Sequence, residues 1–281
     1  MVSNTTGSGD ESRVLLHEIT RDESAARAGE ALLVVPIGAT EQHGPHLPLG
    51  TDFLIVEHVA RAAAQAARQA TELDVLVAPT LPFGSSHHHL PFGGTVSLAS
   101  ERYFAALRDM VASLIQGGFR RIFLLNGHGG NHELMQVVVR DLALELPVNL
   151  AAASYWSLAR DALTAAGLDR IGHLPGHAGV FETSLILALR PELVAAPLPH
   201  RDEAELARVA IPRTPFRAER AGFWEGIDGF TDSPDQASAE LGQRLLASVV
   251  PPVADAFASF AGLPLLNRES PGTRHPTPDA R

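Results

Sequence analysis

Two residue types are missing from this chain of 281 residues. It has no cysteine, and it has no lysine because all 22 of its basic residues are arginine. Without cysteine, disulfide bonds, thiolate metal ligands and thiol nucleophiles are excluded together. Without lysine, neither a Schiff base nor a lysine general base is available. A reactive site in this chain must therefore rest on carboxylates, histidines and hydroxyl groups.

Cationic charge and long apolar runs are also scarce. The net charge of −10 argues against nucleic-acid binding, which needs clustered basic residues to displace counterions. No uninterrupted apolar run approaches the roughly 18 residues of a membrane span. The N-terminus lacks the basic-then-apolar order of a signal peptide. These absences predict a cytoplasmic protein with neither a nucleic-acid nor a membrane partner.

The folded body is predicted to be one domain over residues 13–266. A chain in which 45% of residues are hydrophobic can bury a full core. Residues 1–12 lack aliphatic side chains after Val2, and residues 267–281 are rich in Pro, Ser, Thr and Arg, so both are expected to be flexible tails. No long linker and no fixed-period repeat interrupts the body.

Short apolar runs alternate with amphipathic stretches along this body. Strands are predicted at residues 31–37, 74–78, 121–125 and 148–153, and helices at 52–70, 101–116, 131–145, 155–166, 180–189 and 235–261, the last of them broken at Pro251 and Pro252. The alternation predicts an α/β fold with a mostly parallel sheet covered on both faces. In such a sheet the ligand crevice lies outside the carboxyl ends of the strands.

The first polar cluster follows the first predicted strand. Glu41 and His43 point to the same side of an extended chain, and Asp52 opens the next helix, from which it can face the same crevice. Two carboxylates and an imidazole are ligands that divalent metals prefer. The alternative is a polar loop in which Asp52 caps the helix N-terminus, and the two roles are not exclusive.

Two more clusters lie further along the chain. His128 is at the centre of the turn NGHGGN, which has neither a G-x-G-x-x-G nor a Walker pattern, so a metal ligand fits this turn better than a phosphate loop. His132, on the following helix, is interpreted as a surface or capping residue. In HAGVFETS, His177 precedes a helix and Glu182 lies about one turn inside it. The alternative for Glu182 is an acidic first turn favoured by the helix dipole.

The fourth cluster is a run of three histidines, His87, His88 and His89. Because neighbouring residues of an extended chain alternate in direction, at most one or two of them can serve one site. His89 and Thr95 are candidate substrate-pocket groups, and at least one neighbour is expected to be exposed. Nine of the 13 histidines fall in the four segments that contain these clusters, residues 40–52, 85–95, 125–132 and 172–184, which indicates a reactive site. No G-x-S-x-G or H-E-x-x-H motif offers a competing one.

Together, the four segments resemble the creatininase (creatinine amidohydrolase) family. The matching stretches are VPIGATEQHGPHLPLGTD, FGGTVSL, NGHGGN and HAGVFETS, in the family's order over about residues 33–193. The resemblance implies a three-layer α/β/α sandwich with a mostly parallel sheet. It also implies one or two divalent metal ions per subunit (zinc, manganese or iron) and a homo-oligomer, which is a hexamer in the best-known members.

The resemblance further implies roles for individual residues. The expected metal ligands are Glu41, His43, Asp52, His128 and Glu182, with Asp52 as the bridge. The expected catalytic residues are His177, which would handle protons at the scissile amide, and Glu182. The candidate substrate-binding residues are His89, Thr95, Tyr155, Trp156 and His173, and ordinary packing is the alternative for Tyr155 and Trp156.

One departure from the family pattern concerns the second metal. The creatinine-hydrolysing members have a glutamate two residues beyond the His128 position, where this chain has Gly130. The departure puts in doubt both the full ligand set of the second metal and creatinine as the substrate. Glu182 or a water molecule is the expected replacement.

The resulting hypothesis is a metal-dependent amidohydrolase. A metal-bound water would attack an amide, cyclic amide or formamide carbonyl, and His177 would pass a proton to the leaving nitrogen. Two alternatives stay open: hydrolysis of an inosose-like cyclic ketone on the same metal centre, and a non-catalytic metal-binding oligomer. Residues 223–229, which contain glycine and aromatic residues, suit either a pocket lid or a subunit contact.

Overall fold

A computed structural model describes residues 13–210 and 218–266. The strands are β1 (Leu32–Ile37), β2 (Val75–Val77), β3 (Arg121–Asn126) and β4 (Asn149–Ser154). The helices are α1 (Arg21–Arg27), α2 (Thr51–Thr71), α3 (Ser100–Gln116), α4 (His132–Glu145), α5 (Tyr155–Leu158), α6 (Arg160–Ala165), α7 (Val180–Leu189), α8 (Glu203–Val209), α9 (Phe223–Gly226) and α10 (Ala239–Ala261). The predicted tails, residues 1–12 and 267–281, lie outside the described residues, and the single domain over residues 13–266 stays a prediction.

The four strands form one parallel sheet in the order β2-β1-β3-β4. Leu32 of β1 pairs with Val75 of β2 on one side and with Arg121 of β3 on the other. The chain therefore leaves β1 in one direction to form β2 and then returns to its other side to form β3. A crevice opens outside the carboxyl ends of the strands at such a reversal. Here it lies between β1 and β3.

Helices cover both faces of the sheet, because successive residues of each buried strand point to opposite sides. On one face, Leu32 and Val34 belong to a core that also contains buried residues of α2, α7 and α10. On the other face, Leu33 and Val35 belong to a second core shared with α3 and α4. The predicted α/β/α sandwich with a parallel sheet is confirmed.

The expected break at Pro251 and Pro252 is wrong, since α10 runs unbroken from Ala239 to Ala261 with both prolines inside it. A proline removes one N–H bond to the carbonyl four residues earlier. Here Pro251 is exposed, and so is Ala247, four residues before it, so water can satisfy the freed carbonyl. Burial of the opposite face, including Val249 and Phe257, holds the helix together across the prolines.

Helix α10 is also the one helix of the described residues that is long and apolar enough to cross a membrane. That test considers length and composition alone, and the core helix of a globular domain passes it as well. Leu245, Val253 and Phe257 of α10 are fully buried in the core shared with α2 and α7. Packing within the protein therefore accounts for the apolar face of this helix.

Candidate metal centre and active site

The polar clusters meet beyond the carboxyl ends of β1 and β3. The last residues of these strands, Ile37 and Asn126, are directly paired. The chain leaving β1 carries Glu41 and His43, and the chain leaving β3 carries His128. Register in the sheet thus brings residues more than 80 positions apart in sequence to one edge.

Three buried carboxylates form the centre of the site. Glu41 is in the loop after β1, Asp52 is in the first turn of α2, and Glu182 is in the first turn of α7. The alternative role of Asp52, capping the helix, is wrong, because Gly50 is the N-cap residue of α2. Glu182 is an acidic residue in the first turn of α7, as the helix-dipole alternative expects, and its Oε2, which accepts a hydrogen bond of 2.6 Å from the amide of Ala178, also faces His43.

The inner triad consists of His43, Asp52 and Glu182, all buried, whose donor atoms lie within 4.8 Å of one another. His43 Nε2 is 3.2 Å from Asp52 Oδ1 and 3.8 Å from Glu182 Oε2. Its other nitrogen, Nδ1, lies 3.1 Å from the backbone oxygen of Glu41, to which it can donate only as N–H. That bond leaves Nε2 facing the two carboxylates, where it can carry a proton or offer its lone pair to a metal ion.

The outer triad consists of Glu41, His88 and His128, of which only His88 is exposed. His128 Nε2 is 3.1 Å from the backbone oxygen of Ser85, to which it can donate, and Nδ1 faces the site, where it can carry a proton or offer its lone pair to a metal ion. Nδ1 lies 3.3 Å from Glu41 Oε1 and 3.0 Å from Asp52 Oδ2. Asp52 therefore contacts both triads, with one oxygen toward each.

The donor set fits a divalent metal ion. Both carboxylate oxygens of Glu41 and Oδ2 of Asp52 are buried without a hydrogen-bond partner, which is costly unless a cation is there. The donor atoms are 3.0–3.8 Å apart. Ligand atoms that bind one metal ion through bonds of about 2.1 Å are separated by similar distances. Metal-ligating histidines typically donate their second N–H to a backbone carbonyl, as His43 and His128 are placed to do.

The pKa values of the cluster also indicate that positive charge stabilises it. Burial disfavours the charged form of every group, but the carboxylates, Asp52 first, outweigh it at His43 and raise its pKa to about 10. Burial likewise opposes charge on Glu41, yet His128 holds the pKa of this carboxyl below its usual value. At Glu182 burial wins and raises the pKa to about 8. Cations therefore stabilise this cluster, whether they are protons or metal ions.

His177 and His89 form a stacked pair beside the two triads, with ring centroids 4.1 Å apart. His177 Nδ1 and His89 Nε2 each lie 3.6 Å from Glu41 Oε1. Burial, together with His43 and His89, holds the pKa of His177 well below its usual value. Burial lowers the pKa of His89 to about 3. Both rings are therefore neutral near pH 7.

The loop that carries His177 is held by a segment more than 50 residues later. The amide of His177 donates to Thr231 Oγ1 at 3.0 Å, and the amide of Thr231 donates back to the carbonyl of His177 at 2.8 Å. The carboxylate of Asp232 accepts from the amide of His173 at 3.1 Å. Nothing in the local sequence links Thr231 and Asp232 to His177, so neither residue could be assigned to the site from the sequence.

A cavity of about 640 Å³ opens onto both triads. Of the candidate substrate-binding residues, His89 and Trp156 line it. The other three lie outside the wall that the described residues form: Thr95 accepts from the amide of Gln42, Tyr155 is in the core against Phe181, and His173 is beside Asp232. Packing, the alternative for Tyr155, is therefore its observed environment.

Trp224 of α9 also lines the cavity, with its ring centroid 4.6 Å from that of His89 and 5.2 Å from that of His177. The sequence predicts residues 223–229 at a pocket lid or a subunit contact, without a separate role for Trp224. Gln42 has no predicted role either, although its buried side chain contacts His89 and His177. Helix α9 is adjacent to the 3-10 helix His87–Phe92, which explains why Trp224 reaches the histidines.

Gly130 is fixed by a close backbone approach. A Cβ atom at this position would lie 2.1 Å from the carbonyl oxygen of Ser85 and 2.6 Å from His128 Nε2. The same carbonyl oxygen accepts the hydrogen bond that orients His128. A side chain at position 130 is therefore incompatible with the present position of the Ser85 loop, which leads directly to His88.

Comparisons with known proteins agree with this geometry. The family model for creatinine amidohydrolase (creatininase) matches residues 17–257. Creatinine amidohydrolase from Pseudomonas putida is 33% identical over 265 residues, covering 87% of this chain and 96% of that protein. Mycofactocin precursor peptide peptidase from Mycobacterium ulcerans (strain Agy99) is 33% identical over 223 residues, covering 78% of this chain and 81% of that protein.

A solved structure of creatininase in its Mn form aligns with a TM-score of 0.73 and 30% identity, over 88% of this chain and 98% of that one. The family model spans far more than half of the chain. Sequence, fold and the arrangement of histidines and carboxylates therefore agree. The chain belongs to the creatininase (creatinine amidohydrolase) family of hydrolases.

Proposed function

We propose that this chain is a cytoplasmic, metal-dependent amidohydrolase that cleaves the C–N bond of an amide, a cyclic amide or a formamide. The observation that carries the proposal is the group of three buried carboxylates, Glu41, Asp52 and Glu182, with one ring nitrogen of each of two histidines facing them. Such a group needs a cation for stability. Manganese and zinc both suit its nitrogen and oxygen donors.

The inner triad would hold one ion and the outer triad a second, with Asp52 bridging the two. In the outer triad, His88 would supply the ligand that the family's creatinine-hydrolysing members supply from the position of Gly130. Glu182 would complete the inner triad. A bound divalent cation would lower the pKa of a water molecule and polarise the substrate carbonyl.

The residues around the ions would move the protons and shape the site. Hydrolysis joins the hydroxyl of water to the carbonyl carbon, breaks the C–N bond and leaves one proton for the nitrogen. His177 is neutral, faces the cluster through Nδ1 and can accept that proton and then donate it to the leaving nitrogen. Glu182, the second candidate catalytic residue, would help to hold the ion of the inner triad. Trp156 and Trp224 line the cavity and would shield the substrate from bulk water.

The substrate is expected to be a small molecule with a hydrolysable C–N bond. The two relatives described above are a creatinine amidohydrolase and a peptidase of a precursor peptide, and both names refer to C–N bonds in different molecules. The shared chemistry supports the reaction class, and the different substrates argue against transferring either one. We further propose that the protein is a homo-oligomer, with a hexamer as the first assembly to test.

The test is a substrate screen with protein reconstituted with Zn²⁺ or Mn²⁺. The panel contains creatinine, small cyclic amides, N-formyl amines, short peptides and an inosose-like cyclic ketone. We expect hydrolysis of a C–N bond in at least one substrate, seen as a released amine for an open-chain substrate or as the ring-opened product for a cyclic one. We also expect that hydrolysis to be lost in Asp52→Ala and in His177→Ala, and retained in the control Asp255→Ala on the exposed side of α10.

Two outcomes contradict this proposal. Opening of the cyclic ketone without cleavage of any C–N bond would favour ketone hydrolysis on the same metal centre. Absence of all turnover in a protein that binds its metal would favour a non-catalytic metal-binding oligomer.

A further inference from the structure

Gln42 lies between two metal ligands in sequence and joins four segments of the site in space. Its side chain is buried, and its amide nitrogen Nε2 lies 2.8 Å from His89 Nδ1, 3.0 Å from His177 Nε2 and 2.9 Å from the carbonyl oxygen of Gly229. The backbone oxygen of Gln42 is 2.9 Å from His177 Nε2. One residue therefore contacts both rings of the stacked pair.

The orientation of the Gln42 amide is fixed by two backbone groups that each have a single role. The amide of Gly44 can only donate, and it lies 2.8 Å from Gln42 Oε1. The carbonyl of Gly229 can only accept, and its partner is Nε2. A Cβ atom on Gly229 would lie 2.5 Å from Oε1, so the backbone passes directly against the amide. Exchange of the amide oxygen and nitrogen would break both hydrogen bonds.

This orientation determines where the ring protons of the two histidines lie. Gln42 Nε2 has two N–H groups and three neighbours, and the N–H groups go to the two nearer ones, the carbonyl of Gly229 and His89 Nδ1, which must then be unprotonated. The backbone oxygen of Gln42 can only accept, so the proton of His177 lies on Nε2 and points to that oxygen at 2.9 Å, not to the amide nitrogen at 3.0 Å. The opposite assignment would leave that carbonyl without this donor and set the amide against an N–H of His89 at the shorter distance of 2.8 Å.

We propose that Gln42 is a positioning residue that sets both neutral histidines in the tautomer with the proton on Nε2, through its side chain at His89 and its backbone oxygen at His177. Beside Glu41 Oε1, His89 then presents an N–H donor and His177 presents a bare Nδ1, each at 3.6 Å. The two rings therefore face the same carboxylate oxygen with one hydrogen-bond donor and one acceptor.

The catalytic use of this arrangement rests on the proposed function. The bare Nδ1 of His177 can accept a proton from the attacking water and return it to the leaving nitrogen, while the N–H of His89 can donate to the oxygen of the carbonyl group. The opposite tautomers would offer a donor where an acceptor is needed. Both protons would then point the wrong way for the first transfer.

The first experiment is nuclear magnetic resonance of protein labelled with ¹⁵N in its histidine rings and loaded with Zn²⁺. Long-range nitrogen–proton correlations distinguish the two neutral tautomers, and the spectra of His89→Gln and His177→Gln assign the two rings. We expect the proton on Nε2 in both. A proton on Nδ1 of either ring in the wild-type protein overturns the proposal, and this measurement needs no variant of Gln42.

The second experiment uses Gln42→Met, which keeps the length of the side chain and removes the amide. We expect His89 to become a mixture of tautomers while His177 keeps its proton on Nε2, because its acceptor is the backbone. In the active protein, kcat should fall about 10- to 100-fold, as for other losses of a supporting hydrogen bond. The matched control is Gln136→Met, since the exposed amide of Gln136 contacts His132 Nε2 at 3.0 Å outside the site, and it should leave His89 unchanged.

An unchanged tautomer of His89 in Gln42→Met overturns the role of the side chain, and a joint change of both rings overturns the division between side chain and backbone. Because the spectra are recorded without substrate, they are independent of the amidohydrolase assignment. A protein with the expected tautomers and no C–N hydrolysis contradicts the proposed function alone.

Discussion

The inner and outer triads contact each other through Asp52 but are held very differently. Every side chain of the inner triad is buried, and two of them are fixed by backbone groups: His43 by the carbonyl of Glu41 and Glu182 by the amide of Ala178. The outer triad includes the exposed His88, which stands on a short 3-10 helix. The comparison indicates one preformed ion position and one that depends on a surface loop.

The largest expected effect comes from removing the side chain of Asp52, which contacts both triads. Asp52→Ala should abolish binding at both positions, because each triad loses a carboxylate oxygen and the remaining buried charges lose their bridge. The metal content measured by elemental analysis should fall from about two equivalents to none, since removal of one partner of a buried charged group is strongly destabilising. Two equivalents of metal retained in Asp52→Ala would disprove the bridging role, and Asp255→Ala is the control.

The next effect tests whether proton transfer is separate from metal binding. His177→Ala should lower kcat by roughly 10²- to 10⁴-fold, the usual contribution of a general acid–base group, with metal content unchanged. Turnover and elemental analysis on the same preparation check both statements. The control His200→Ala removes an exposed contact of 2.8 Å between His200 Nδ1 and Asp235 Oδ2 and should behave as wild type. Undiminished turnover in His177→Ala would remove this residue from the mechanism.

A third experiment probes the close packing behind the outer triad. Gly130→Ala should lower the free energy of unfolding by about 1–3 kcal/mol, because its Cβ would meet the carbonyl of Ser85 at 2.1 Å and that loop must shift. Metal should also be lost first from the outer position. The matched control is Gly129→Ala, where a Cβ meets nothing within 4 Å. Equal thermal unfolding curves for the two variants would show that the Ser85 loop yields without cost.

The smallest effect is expected at the exposed ligand. His88→Ala should weaken binding at the outer position by about 10-fold and leave the inner position unchanged, since an exposed ligand contributes less than a buried, anchored one. Competition with a chelator, followed by elemental analysis, resolves the two affinities. His87→Ala is the control, because His87 is exposed and its Nδ1 contacts Ser97 Oγ instead. Equal loss at both positions would end the distinction between the triads.

Much of the fold could be predicted from the sequence because its signals are local. The strand at residues 31–37 is an unbroken apolar run, and the structure places β1 at Leu32–Ile37. The prediction of a helix break at Pro251 was wrong because burial along α10 outweighs the low helix propensity of proline. The single helix expected at residues 155–166 is instead the two short helices α5 and α6.

Prediction of the site divides along the same line. Glu41, His43 and His128 follow strand ends, so the rule for parallel sheets was enough to bring them together. The supporting contacts were beyond reach, because Thr231 holds His177 across 54 residues of chain. Gln42 was hidden for another reason: it stands between two ligands, and an uncharged amide carries no signal of its own in a single sequence.

The strand order also has a consequence for how the protein is made. Glu41 and Asp52 emerge early in synthesis, whereas Glu182 lies in the second half of the chain and Thr231 follows it by almost 50 residues. A nascent chain that has completed β1 to β4 still lacks the third ligand of the inner triad. The inner triad is therefore complete only after α7 has been made and has docked against α2.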